Sequence, residues 1–195
     1  MKSKVKHIAK DIAECAIFVA LMAVCTLFIQ IPFYPVPLTF QTVISILAGL
    51  LLGRKKGAVS MACYCLMGLI GVPVFSGFSG GIYTVLKPTF GYILGFIVSA
   101  YVAGLISGKG SGLTRYFLGA FVAFLADYVF GISYFAVIWN FWLKMPDLGH
   151  YIVLYNLLYM PKDLILSMLA AYLAYKVVPL IRYADNDIKE NLPQR

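Results

Sequence analysis

Residues 116–140 read YFLGAFVAFLADYVFGISYFAVIWN, and Asp127 is the one charged residue among them. A run this long and apolar matches the roughly 20 residues that a helix needs to cross about 30 Å of hydrocarbon. Comparable runs recur on both sides of it, at 12–31, 36–53, 57–72, 88–107 and 151–178. Charged residues gather in the gaps between runs, and the carboxylates that stand deep inside one are Asp127 and Asp163. An ionised group at membrane depth is costly and usually faces a cavity or a partner, so these two mark where to look for function.

Hydrophobic residues make up 62% of the chain and charged residues 12%, a balance outside that of soluble domains. The 195 residues leave no room for a soluble domain beside six spans. The expected architecture is therefore one membrane domain over 1–195, an all-α integral membrane protein built as a compact bundle of six transmembrane helices. Helices are required because no alternating barrel pattern is present and open chain in lipid must satisfy its own backbone hydrogen bonds. The second and third runs are short and contain glycine, which allows tilt or partial re-entry.

The basic residues orient the bundle. Lys2, Lys4, Lys6 and Lys10 precede the first run, and Arg54, Lys55 and Lys56 follow the second. Lys109 and Arg115 follow the fourth, and Lys176, Arg182, Lys189 and Arg195 close the chain. All of these fall on one side, and the other side holds Lys87, Lys144 and Lys162. The positive-inside rule then places both termini in the cytoplasm. The net charge of +8 is the mark of that rule and forms no single basic face for nucleic acid. The first run is expected to be retained: Asp11 and Glu14 stand in its leading edge, and Ile31-Pro32-Phe33 is no small-residue cleavage site. Cys15, Cys25, Cys63 and Cys65 all lie in apolar runs, where packing is the expected role. Cys63 and Cys65 are two apart, so on a helix they point in different directions and suit no metal.

The two faces differ. Connections on the basic side, 54–56 and 108–114, read as turns. Those on the other side are richer. Residues 32–37 hold three prolines in PFYPVP, a stiff extended segment. Residues 73–87 contain Ser76-Gly77-Phe78-Ser79-Gly80-Gly81-Ile82-Tyr83, where glycines allow close backbone approach and aromatics supply flat apolar surface. Two aromatic-bearing loops on the outer face point to a site that opens outward beneath them.

In the last run Tyr155, Tyr159 and Asp163 fall at i, i+4 and i+8, with Asn156, Met160 and Lys162 alongside. One helical face thus carries two phenols, an amide and a carboxylate. It reads either as an internal hydrogen-bonded contact or as a polar pocket for a small ligand, where the carboxylate accepts from N–H groups and a cation holds a carbonyl or an anion. For Asp127 a structural and a ligand role stand equal. In the first run Ala16, Ala20 and Ala23 form a small-residue stripe, which lets helices approach closely within the fold or against a partner. There is no Gly-x-x-x-x-Gly-Lys-Ser/Thr and no His-Glu-x-x-His or Gly-x-Ser-x-Gly, so the expectation is no ATP hydrolysis and no catalytic residue in this chain.

Val36-Pro37-Leu38-Thr39-Phe40-Gln41-Thr42, Gly80-Gly81-Ile82-Tyr83, Lys87-Pro88-Thr89-Phe90-Gly91-Tyr92-Ile93-Leu94-Gly95-Phe96 and Pro161-Lys162-Asp163-Leu164 together resemble the BioY family. These are the biotin-specific substrate-binding (S) components of energy-coupling factor transporters, and the resemblance runs over essentially the whole chain. It implies a six-helix protein of the bacterial plasma membrane that binds biotin from outside, under extracellular loops. It implies docking on a transmembrane coupling subunit driven by two cytoplasmic ATPases, with no cofactor and no metal. The stripe at Ala16, Ala20 and Ala23 is similar to the Ala-x-x-x-Ala motif that S components set against the coupling subunit.

The resemblance also implies the ligand contacts. Asp163 and Asn156 suit the ureido group, while Phe78, Tyr83, Tyr92 and Tyr159 suit the rings. Lys87 or Lys162 suits the ureido carbonyl or the carboxylate, and Gln41 of the 36–42 motif and Ser79 of the outer loop join the set. One departure stands out: where many members have Pro-Gly-Asp-x-x-Lys, this chain has Lys162 in place of the glycine and Leu166 in place of the lysine. The rival readings are an S component for another vitamin, a stand-alone facilitator, and an intramembrane enzyme using Asp127 and Asp163 as an acid–base pair. The last lacks the Gly-x-Gly-Asp setting of intramembrane aspartyl proteases.

Overall fold

The computed structural model of the chain describes residues 2–29, 39–108, 112–157 and 159–190. The helices among them are α1 (Lys2–Leu27), α2 (Gln41–Leu52), α3 (Arg54–Leu69), α4 (Phe90–Ser107), α5 (Leu113–Val137), α6 (Leu148–Leu157) and α7 (Tyr159–Glu190). A short 3-10 helix, Ile82–Leu86, precedes α4, and a π-helical turn, Ile138–Leu143, continues α5. The described residues form no strand, and their one bridge pairs Phe75 with Ser79 inside a tight loop. The prolines of 32–37, Lys109 and the side chain of Tyr155 lie outside the described residues.

One connection differs from the turn expected at 54–56. Arg54, Lys55 and Lys56 open α3, and the reversal is made by Gly53 alone, at φ +79°. Only glycine takes that conformation without cost. A single such residue turns α2 into α3, and Gly104 of α4 backs the turn so closely that a Cβ there would meet the Arg54 nitrogen at 2.3 Å.

α4 is the central element, packed on α5, α2 and α3; α7 lies on α5 and α2, and α1 on α3 and α2. The interfaces are built for close approach. A Cβ on Gly49 would stand 2.1 Å from the Ala100 carbonyl oxygen, and the Ser45 and Ser99 hydroxyls bond across the α2–α4 contact at 2.8 Å. Ala120, Ala123, Ala171 and Ala174 fill the α5–α7 side. Small residues and interhelical hydroxyls of this kind hold helices together where lipid removes the hydrophobic drive.

The outward faces are apolar as well. Leu118, Phe121, Leu125 and Val129 on α5, and Ile165, Leu169 and Leu173 on α7, are exposed at three- and four-residue spacing. A helix apolar on every side suits hydrocarbon surroundings. Three helical runs, 90–107, 113–143 and 148–181, are long and apolar enough to cross a membrane. Cys63 is exposed and Cys65 buried, so the two thiols of α3 face opposite sides. At the basic end of the bundle Lys56 of α3 donates to Asp11 (3.1 Å) and to Glu14, tying α1 to α3.

Candidate functional site

At the end of the bundle remote from Lys56, the first turns of α2 and α4, the loop 73–87, α5 and the α6–α7 stretch enclose a cavity of about 360 Å³. That size is within the range of small-molecule sites. Its walls are aromatic: Phe75, Phe90, Tyr92, Phe96, Tyr128 and Phe135. Its polar groups come from Thr39, Gln41, Thr42, Ser76, Ser79, Thr84, Lys87, Thr89, Asn156, Tyr159 and Asp163.

Glycines on α4 and α5 set the wall. A Cβ on Gly131 would strike the Tyr92 ring at 2.2 Å, and one on Gly91 would strike Tyr134 Cβ at 2.2 Å. Without side chains there, α4 and α5 close up and the Tyr92 ring lies over the α5 backbone. Tyr92 then meets Tyr128 edge-on, with ring centres 5.7 Å apart, an arrangement that aromatic quadrupoles favour. The Tyr92 hydroxyl donates to Asn156 Oδ1 at 2.7 Å, and Asn156 Nδ2 donates to the Ile152 carbonyl at 2.6 Å.

Asp163 is 6% exposed. Its Oδ2 accepts from the Tyr128 hydroxyl at 2.8 Å, and its Oδ1 pairs with the Lys162 ammonium at 2.8 Å. Lys162 itself does not line the cavity. Its ammonium reaches across to donate to the Thr39 carbonyl and lies 5.5 Å from the centre of the Phe40 ring. Lys87, by contrast, lines the cavity and is exposed, which puts the cation at the mouth.

The structure thus brings Gln41, Ser79, Lys87, Tyr92, Asn156, Tyr159 and Asp163 around one space. It does not bring in Phe78 and Tyr83. Phe78 sits at a loop tip with φ +54°, 58% exposed and edge-on to Phe28 with ring centres 6.2 Å apart. Tyr83 is 82% exposed on the 3-10 turn. The Phe75–Ser79 bridge turns Phe75 and Ser79 inward and leaves Phe78 at the tip.

Asp127 takes the other fate. It is 0% exposed but absent from the lining, and neither oxygen has a hydrogen-bond partner among the described residues. The Thr42 side chain lies close by on the donor side, and the Asp163 charge is near enough to act on Asp127. Its Oδ1 faces Gly95, where a Cβ would stand 2.3 Å away. Asp163 thus lines the cavity, and Asp127 lies behind its wall. Tyr128, the residue after Asp127, is the functional group that the sequence reading passed over. One helical step of about 100° carries it into the cavity, and a phenol beside a stranded carboxylate was the available signal. Of the small-residue stripe, Ala16 and Ala20 are exposed on α1, while Ala23 is half-buried against the core.

Comparison with known proteins gives a consistent result. The sequence model described as the BioY family matches residues 1–183. A probable biotin transporter BioY of Lysinibacillus sphaericus is 37% identical over 172 residues, covering 87% of this chain and 87% of that protein. One from Pyrococcus horikoshii is 45% identical over 121 residues, covering 62% of this chain and 74% of that protein. Among solved structures, an S-component for biotin from an ECF-type ABC transporter superimposes with a TM-score of 0.73 at 26% identity, covering 88% of this chain and 92% of that one.

Proposed function

The chain belongs to the BioY family, and from that premise we propose that it is the substrate-binding subunit for biotin uptake, an S component that presents the vitamin to an ATP-driven coupling module. The observation that carries the reading is the aromatic-walled cavity around the buried Asp163 carboxylate. Biotin offers two ureido N–H donors, a carbonyl acceptor, an apolar bicycle with sulfur and a valerate carboxylate. Asp163 has lone pairs beyond those taken by Tyr128 and Lys162 and accepts a ureido N–H. Asn156 supplies a further polar contact, and the aromatic wall that includes Tyr92 and Tyr128 supplies apolar surface for the bicycle. Lys87 at the mouth pairs with the valerate carboxylate. Lys162 serves as the counter-ion of Asp163. Phe78 and Tyr83, outside the lining, receive no contact in this assignment.

The arrangement in the membrane is part of the proposal: six spans, both termini in the cytoplasm and the cavity mouth outside, supported by the distribution of Lys and Arg. The exposed Ala16 and Ala20 suit close approach of a coupling-subunit helix to α1, with two ATPases completing the assembly in a bacterial plasma membrane. Calorimetric titration of the detergent-solubilised protein with biotin, thiamine and riboflavin, without ATP, tests the reading. Tight binding of biotin alone is expected. Equal binding of all three, or of none, overturns it, and preference for another vitamin reassigns the substrate.

A further inference from the structure

Behind the cavity wall, Tyr64 of α3 is 0% exposed and is not part of the lining, yet its hydroxyl joins three elements. It donates to the Val74 carbonyl at 2.9 Å, at the root of the loop that carries Phe75 and Ser79 into the cavity. It accepts from Gln41 Nε2 at 2.9 Å. Thr26 Oγ1 of α1 stands 3.4 Å away, but the Thr26 proton goes to the Met22 carbonyl at 2.6 Å. The single phenolic proton is therefore committed to Val74, and what Tyr64 offers Gln41 is a lone pair.

That commitment orients the Gln41 amide. Its Oε1 accepts from the Thr39 hydroxyl at 3.1 Å and one Nε2 hydrogen goes to Tyr64, which leaves the second N–H without a partner among the described residues, beside the cavity that Gln41 lines. Flipping the amide would set its oxygen against the Tyr64 oxygen. The clash is relieved only by turning the phenolic proton away from Val74 and stranding a buried carbonyl, a cost that buried polar groups rarely bear.

We propose that Tyr64 is a positioning residue for ligand recognition: from behind the wall it holds the Gln41 amide nitrogen toward the cavity, so that this part of the site demands a hydrogen-bond acceptor on the ligand. The inference rests on the biotin reading. The acceptor is one of biotin's oxygens, either the ureido carbonyl or the carboxylate.

Tyr64→Phe keeps the ring and its edge-on contact with Phe75, whose centre lies 5.5 Å away, and removes only the hydroxyl. The test is the affinity of the solubilised full chain for biotin, for 2-iminobiotin (ureido oxygen replaced by a donor) and for biotin primary amide (carboxylate replaced by a group that also donates). Tyr64→Phe is expected to weaken biotin by about two- to tenfold, the range of one neutral hydrogen bond, and to narrow the preference for biotin over one analogue by a similar factor. Narrowing against 2-iminobiotin assigns the ureido oxygen, and narrowing against the amide assigns the carboxylate. A parallel loss for all three ligands, or no change, overturns the proposal, since a purely structural role would move them together. If Tyr64→Phe does not fold, Thr39→Val frees the same amide from its other end and is judged by the same narrowing. Failure of the unaltered protein to bind biotin would instead overturn the reading beneath, and this inference with it.

Discussion

Replacing Asp163 with Asn changes one atom and one charge at the centre of the cavity. The carboxylate spends Oδ2 on Tyr128 and Oδ1 on Lys162, both at 2.8 Å, and keeps lone pairs for a ligand. In Asn the NH2 group avoids the Lys162 ammonium and takes the Tyr128 side, where the phenol oxygen accepts. The single remaining oxygen then faces Lys162, and the ligand loses a charged acceptor. A hydrogen bond to a charged group contributes about 1.5–3 kcal/mol, and about 1.4 kcal/mol is tenfold in affinity, so biotin should bind about 10- to 150-fold more weakly. The substitution also removes the Lys162–Asp163 pair. Its side chains are 23% and 8% exposed, between the exposed case, about 0–1 kcal/mol, and the buried case, about 3–5 kcal/mol for breaking one partner. A lowered thermal midpoint is therefore expected without ligand. Calorimetric titration, with the ligand-free midpoint measured beside it, separates the two effects. A folded Asp163→Asn protein that binds biotin within about twofold of the original, less than one neutral hydrogen bond is worth, would refute the assigned role.

Asp127→Asn should leave biotin affinity within about twofold and the thermal midpoint no lower, because the carboxylate is fully buried and neither oxygen is held by a well-formed hydrogen bond among the described residues; a binding loss as large as that of Asp163→Asn would place Asp127 in the site. Gly95→Ala puts a methyl group 2.3 Å from Asp127 Oδ1 and should cost about 1–3 kcal/mol of stability, read by thermal unfolding, and Asp127→Ser in the same chain should recover part of it. Lys87→Leu should weaken biotin while leaving the ligand-free midpoint in place, whereas Lys162→Leu should lower that midpoint by stranding Asp163; the opposite pattern would exchange their roles. Ala16→Trp or Ala20→Trp should abolish co-purification with coupling subunit and ATPases while biotin titration is unchanged, and intact assembly would remove α1 from the docking surface.

Membrane residence and the helical class were legible in the linear chain, and so was Asp163 as a place to look. Hydropathy is a property of a local window, and a carboxylate stranded in an apolar run is visible without knowing its neighbours. Family motifs likewise led to Gln41, Tyr92 and Asp163, and the helical spacing of the last run to Asn156. Which carboxylate opens to the cavity was not legible. Asp127 and Asp163 look alike in sequence, and their difference lies in how α5 and α7 are rotated, which the contacts of Gly91, Gly95 and Gly131 and the buried alanines of α5 and α7 determine. The same rotation turns Tyr128 inward. Lys162, adjacent to Asp163, reads as a ligand contact along the chain; in space its long side chain reaches past the cavity to Thr39 and Phe40. Phe78 and Tyr83 read as cavity walls by type, but the backbone sets the direction of each side chain, and the tip of the bridged loop leaves Phe78 exposed as the 3-10 turn leaves Tyr83. Composition and periodicity say which groups a helix carries. Only the packing of one helix against the next says which of those groups share a space, because a side chain's direction changes by about 100° with each residue.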